Sequence, residues 1–205
     1  QADTIRLYLA TAYSEKKEYD RAIKEFSSIS KTSPVYFDAL GQLAFLYKEK
    51  GEPERGVSLL KDAIAVHPEK PELHLYLSGI YESLERNVEA LKVLTDVDDT
   101  FTSNPAIQFR IAVLFDKTGD REASIARLKK VLVLSPNDAQ ALNYLGYTYA
   151  EMGIHLNEAL GYLKKAVALR PDDGYIRDSL GWIYFKMKRY DEAIANLEKA
   201  VKLSE

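Results

Sequence analysis

The 205-residue chain has no cysteine, which excludes disulfides and thiolate metal sites and leaves both a reducing and an oxidising compartment open. Histidine is scarce, with three in the whole chain, so imidazole has little scope as a ligand or catalyst. Aliphatic runs are short. The longest spans Val131 to Leu134, whereas a bilayer-crossing helix needs about 20 apolar residues, so no membrane span is expected. Neither sign of charge dominates: 28 Lys and Arg against 31 Asp and Glu give a net charge of −3. No basic run forms a track for phosphates, and nucleic acid is not expected as a partner. What remains, 46% hydrophobic and 29% charged residues, suffices to bury a core and stay soluble. The length suits one sizeable domain or one stacked array.

No signal peptide is visible, and the chain opens on Gln1 rather than Met, as a processed product or a fragment of a longer chain would. Localisation stays open on these grounds.

Self-similarity organises the whole sequence. Units beginning at Asp3, Phe37, Pro71, Pro105, Ala139 and Gly174 follow each other at steps of 34, 34, 34, 34 and 35 residues. Aligned on these starts, Leu9, Leu43, Leu77, Ile111, Leu145 and Leu180 form one column. The next position is always small (Ala10, Ala44, Ser78, Ala112, Gly146, Gly181), and three further on comes an aromatic (Tyr13, Tyr47, Tyr81, Phe115, Tyr149, Tyr184). The second half of each unit carries a small residue (Ala22, Gly56, Ala90, Ser124, Ala159, Ala193) followed four later by Phe26, Leu60, Leu94, Leu128, Leu163 and Leu197. Seven after the small residue comes Ile29, Ala63, Val97, Val131, Ala166 or Ala200. Spacings of three, four and seven place these side chains on one helical face, so each unit predicts two amphipathic helices. Small residues opposite large ones let paired helices approach closely.

The punctuation agrees. Pro53, Pro71 and Pro105 stand where helices open; Pro34, Pro68, Pro136 and Pro171 follow second helices. Gly51, Gly119 and Gly153 fall at turns inside units, where positive φ ends a helix.

Leu180-Gly181-x-x-Tyr184, Tyr190-x-x-Ala193-Ile194 and the Pro171 closing the unit before resemble the tetratricopeptide repeat signature, in phase across residues 3 to 205. The resemblance implies an all-α fold: an α-solenoid, a right-handed superhelix of six antiparallel helix-turn-helix units. It would be a single array over 1–205 with repeats 3–36, 37–70, 71–104, 105–138, 139–173 and 174–205. The one insertion falls near Ile154 to Asn157. The third unit departs most from the pattern: Asp96, Asp98 and Asp99 crowd a helix C-terminus where the macrodipole disfavours negative charge, and that helix end is expected to fray.

Catalytic chemistry has no visible carrier. His67, His74 and His155 fall in three different contexts and read as surface or boundary residues. The three aspartates lack the glycine turn and distal glutamate of a calcium loop and read as solvated. No phosphate loop or nucleophile triad stands out, so no enzyme activity, no cofactor and no metal site are expected.

In the family resembled, first helices line the concave face. Groove candidates are therefore Tyr8, Phe45, Tyr76, Phe109, Arg110, Asn143, Tyr144, Tyr147, Trp182 and Phe185, together with Leu7, Thr11, Gln42 and Asp178. The aromatics among them lie outside the packing column; they suit interface anchoring or stacking between adjacent first helices. Arg110 and Asn143 are the donors near the middle. The lysine and asparagine clamp with which one branch of the family holds a chaperone-tail carboxylate has no counterpart at the matching positions, which include Leu7, Thr11, Gly41 and Phe45.

The sequence is similar in style to bacterial members, including envelope lipoprotein adaptors, which implies the bacterial cytoplasm or the periplasmic face of the envelope. The expected function is a non-catalytic scaffold that receives a peptide or extended protein segment in the groove. The alternative is a structural, self-associating segment of a longer solenoid. The final helix carries Ile194, Leu197, Ala200, Val201 and Leu203, an apolar stripe that predicts contact with a further helix of the native protein or with another copy.

Overall fold

A computed structural model describes residues 1–204. Among these the regular structure is twelve helices and no strand. The backbone divides into two compact units, Gln1–Thr102 and the segment from Ser103 onward.

The first unit comprises α1 (Ala2–Glu15), α2 (Tyr19–Ser27), α3 (Tyr36–Glu49), α4 (Pro53–Val66), α5 (Pro71–Ser83) and α6 (Asn87–Thr95). Each odd-numbered helix packs on the helix after it, α2 packs on α3 and α4 on α5, and α3 also touches both α1 and α5. The second unit repeats the plan with α7 (Pro105–Lys117), α8 (Arg121–Leu134), α9 (Ala139–Met152), α10 (Leu156–Leu169), α11 (Gly174–Lys186) and α12 (Tyr190–Ser204). This is an all-α repeat fold of paired helices.

The column residues explain the pairing. A Cβ added to Gly146 would stand 2.7 Å from Cγ of Leu163, and one added to Gly181 would stand 2.6 Å from Cγ of Leu197. The small residue of a first helix is thus the socket for the leucine of its partner, and Leu163 and Leu145 are fully enclosed. Two first helices, α5 and α7, and one second helix, α4, open on proline at the first position, and Asn104, Asp138 and Asp173 accept backbone N–H bonds as caps of α7, α9 and α11.

The turn inside each unit is one structure made six times. The N–H of Glu18, Glu52, Arg86, Asp120, Ile154 and Arg189 donates to the carbonyl oxygen of the column aromatic five residues back, at 2.8 to 3.1 Å. The residue between takes positive φ. This closure satisfies a carbonyl that the helix end leaves open. Glycine fills the left-handed position at Gly51, Gly119 and Gly153, but Lys17, Glu85 and Lys188 adopt it as well, which the sequence pattern did not announce. In four units an arginine of the following turn or helix lies 4.0 to 4.7 Å from the centre of the column aromatic ring: Arg21 on Tyr13, Arg55 on Tyr47, Arg86 on Tyr81 and Arg189 on Tyr184.

Several expectations need correction. α6 ends at Thr95, as the crowded aspartates imply, yet α2 also stops early, at Ser27, so Ile29 and Val97 reach their neighbours from turns rather than from helices. His74 is no surface residue. It is buried, one ring nitrogen lies 3.0 Å from the Pro68 carbonyl oxygen and its ring lies 5.5 Å from that of Phe101, so the loop after α4 supplies the polar partner that lets a histidine enter the core. Leu7 belongs to the core and not to the groove. Leu9, alone in its column, is exposed, because α1 has a neighbouring unit on one side only.

Candidate functional site

The first helices of each unit carry a run of polar bonds from one to the next. In the first unit the Thr11 hydroxyl of α1 donates to Oε1 of Gln42 on α3 at 2.8 Å, and the Tyr76 hydroxyl of α5 donates to Oδ1 of Asp38 on α3 at 2.9 Å. In the second, the Tyr144 hydroxyl of α9 donates to Oδ2 of Asp116 on α7 at 2.8 Å, and Nε1 of Trp182 on α11 donates to Oε1 of Glu151 on α9 at 2.6 Å. Three of the groove candidates, Tyr76, Tyr144 and Trp182, are therefore held by a carboxylate of the preceding first helix. They are amphipathic rings with the polar tip satisfied and the ring left to pack.

In the first unit a cleft of about 300 Å³ is lined by Thr11, Glu15, Gln42, Phe45, Glu49 and Tyr76 among others. Phe45 and Tyr76 are half-buried in it, while Tyr8 on α1 stands exposed. Burial, the bond to Asp38 and the nearby Glu72 carboxylate push the Tyr76 phenol up to about 12.

The second unit gathers more of the candidates. Phe109 meets Tyr144 edge to face, with ring centres 6.1 Å apart. A cleft of about 150 Å³ beside them is lined by Asp116, Arg121, Tyr144, Tyr147, Thr148 and Glu151. Glu151 links it to Trp182, whose ring stacks on Phe185 at 5.4 Å and 12°, and Phe185 in turn meets Tyr190 at 5.8 Å. Tyr147, Phe185 and Tyr190 are exposed. Desolvation and the carboxylates of Glu151 and Asp178 raise the Tyr147 phenol above its ordinary range. Cations border the face as well: Nε of Arg121 lies 3.5 Å from Oδ1 of Asp116, and Nζ of Lys186 lies 5.1 Å from the centre of the Trp182 ring. Arg110 and Asn143 are half-buried; Oδ1 of Asn143 is enclosed and has no hydrogen-bond partner among the described residues.

Asp116, Glu151 and Tyr190 were not among the sequence candidates. The two carboxylates carried a signal, since Asp116 follows Phe109 by seven and Glu151 follows Tyr147 by four, the spacing of one helical face. Tyr190 opens a second helix, so a reading confined to first helices passes over it. At the far side of this unit, Ile194 and Val201 on α12 are exposed, Leu197 is half-buried against Gly181, and Ala200 is already buried within the unit.

Among the described residues no three His, Cys, Asp or Glu side chains are grouped to hold a metal ion, and no helix is long and apolar enough to cross a membrane.

Models of the tetratricopeptide repeat match residues 42–105 and 179–205, and a TPR repeat model matches residues 113–153. No curated protein matches the chain significantly in sequence. Among solved structures, a tetratricopeptide repeat protein from Parabacteroides merdae superposes with a TM-score of 0.72 at 14% identity, over 100% of this chain and 81% of that one. A thermophilic TPR protein of Thermus thermophilus gives 0.64 at 24% identity, over 95% of this chain and 100% of its own. YrrB, described as a TPR protein with an unusual peptide-binding site, gives 0.62 at 19% identity, over 90% of this chain and 91% of that one.

Proposed function

Because the chain belongs to the tetratricopeptide repeat family, whose members generally mediate protein–protein interaction and are typically non-catalytic scaffolds, we propose that it receives an extended protein segment on its first-helix face, centred on Tyr147, Trp182 and Phe185. The observation that carries this reading is the division of labour among the aromatics. Tyr144 and Trp182 spend their polar tips on Asp116 and Glu151, which fixes their rings, while Tyr147 and Phe185 stay exposed beside them. A rigid aromatic floor with exposed rings next to it offers large apolar contact at little entropic cost.

The surrounding charges favour one kind of segment. Glu151 and Asp178 flank Tyr147, so a Lys or Arg beside an apolar residue is a better fit than an acidic tail, in keeping with the missing carboxylate clamp. YrrB, on the same fold, is described by its peptide-binding site, which supports peptide recognition as a use of this architecture. Panning a random library of linear peptides against the intact chain tests the proposal. Enrichment of basic-apolar sequences is expected, and the same enrichment on a chain carrying Tyr147→Ala and Phe185→Ala would refute it.

A further inference from the structure

Glu15 at the end of α1 and Glu151 near the end of α9 hold the same place in their repeats, and so do the aromatics of the first helix that follows, Phe45 on α3 and Trp182 on α11. In the second unit this pairing is a hydrogen bond, since Nε1 of Trp182 donates to Oε1 of Glu151 at 2.6 Å. In the first unit it cannot form, because phenylalanine has no N–H to offer. Glu15 is left with no hydrogen bond or ion pair among the described residues. Glu49 holds the same repeat position at the end of α3 and pairs with the adjacent Lys48 at 2.7 Å, a solvent-screened contact that adds little.

Both carboxylates line the first unit's cleft of about 300 Å³, together with Phe45 and Tyr76, and no lysine or arginine is among the described residues that line it. The bonds from Thr11 to Gln42 and from Tyr76 to Asp38 hold its walls in place. The C-terminal ends of α1 and α3 add the negative pole of each helix macrodipole to the same place. Negative charge with no cation of the chain beside it thus adjoins aromatic rings in a preformed hollow.

We propose that this cleft binds the arginine side chain of a partner segment, its guanidinium paired with Glu15 and Glu49 and its flat face on the ring of Phe45. Arginine suits such a site better than lysine, because a planar fork of donors both meets carboxylates and stacks on a ring. This goes beyond recognition centred on Tyr147, Trp182 and Phe185, because every residue it uses belongs to the first unit.

The peptide acetyl-Gly-Arg-Gly-amide, titrated into the intact chain labelled with nitrogen-15, tests the proposal by NMR. Saturable shifts are expected at the amides of Glu15, Gln42, Phe45, Glu49 and Tyr76. Acetyl-Gly-Gln-Gly-amide is expected to leave these amides unmoved, and acetyl-Gly-Lys-Gly-amide to bind more weakly than the arginine peptide. Glu15→Gln, an exposed change checked for an unchanged melting temperature, is expected to weaken the Kd by about tenfold, the loss of one charge-assisted pairing. Tyr147→Ala is expected to leave the same shifts and Kd untouched, which separates this site from the one on the second unit. Unmoved cleft amides, equal binding of the glutamine or lysine peptide, a wild-type Kd in Glu15→Gln, or loss of the cleft shifts in Tyr147→Ala would each overturn the proposal.

Discussion

The ring of Tyr76 occupies the space that a side chain at position 41 would need: a Cβ added to Gly41 would stand 2.6 Å from its Cδ2 and Cε2 and 2.7 Å from its Cγ. Because Cγ is next to the backbone, the ring cannot swing clear by a small rotation. It would have to leave, taking its bond to Asp38 with it. Gly41→Ala is accordingly expected to destabilise the first unit by about 1 to 3 kcal/mol, as overpacking does, despite alanine's better helix propensity. Gly161, inside α10 with nothing near its missing side chain, is the control, and Gly161→Ala is expected to stabilise by up to about 1 kcal/mol. Thermal or denaturant melts of both variants decide the matter, and a Gly41→Ala chain more stable than wild type would show that Tyr76 is not seated there.

Tyr76 also gives the fold an alkaline signature. Its phenol moves from an ordinary 10.0 to about 12 in the folded chain, first through burial and then through Asp38. A raised folded value means that the stabilisation is fully present below pH 10 and is lost as pH rises toward 12. Tyr76→Phe is expected to show a shallower loss of stability across that window than wild type. Identical slopes in the two proteins would contradict the assignment.

The uneven length of the second helices has a dynamic consequence. α6 stops at Thr95 and the chain runs through turns to Asn104, whereas α8 continues to Leu134. Stability in a repeat protein is carried by each unit and its immediate neighbours, so a shortened helix is locally weak. Amide hydrogens from Asp96 to Asn104 are expected to exchange faster than those from Val131 to Asp138, and equal protection measured by mass spectrometry would contradict this.

The repeat period, the pairing of helices and the small-against-large packing could all be read from the sequence, because each rests on spacing along one helix. Leu163 on Gly146 and Leu197 on Gly181 are examples. What could not be read depends on distances between segments far apart in the chain. His74 looks like any helical histidine until the Pro68 carbonyl is placed 3.0 Å away, and Tyr144 and Trp182 look free until Asp116 and Glu151 are found at their tips. Glycine flagged three of the six turns inside units. The others carry Lys17, Glu85 and Lys188 in the same left-handed conformation, imposed by the Schellman-type closure rather than by residue type.

The candidate site divided along the same line. The family resemblance pointed to the aromatics of the first helices, but only the folded arrangement separates Tyr144 and Trp182, fixed by carboxylates, from Tyr147 and Phe185, left exposed.

Trp182 makes that difference measurable. It is the only tryptophan in the chain, it stacks on Phe185 and it is bonded to Glu151, the neighbour that also borders the Tyr147 cleft. A basic-apolar peptide from the panned library, titrated into the intact chain while tryptophan fluorescence is followed, is expected to give a saturable change. Tyr147→Ala is expected to weaken the measured Kd by about 2 kcal/mol, roughly thirtyfold, with the melting temperature unchanged. A Tyr147→Ala chain that binds the peptide with the wild-type Kd would contradict recognition on this face.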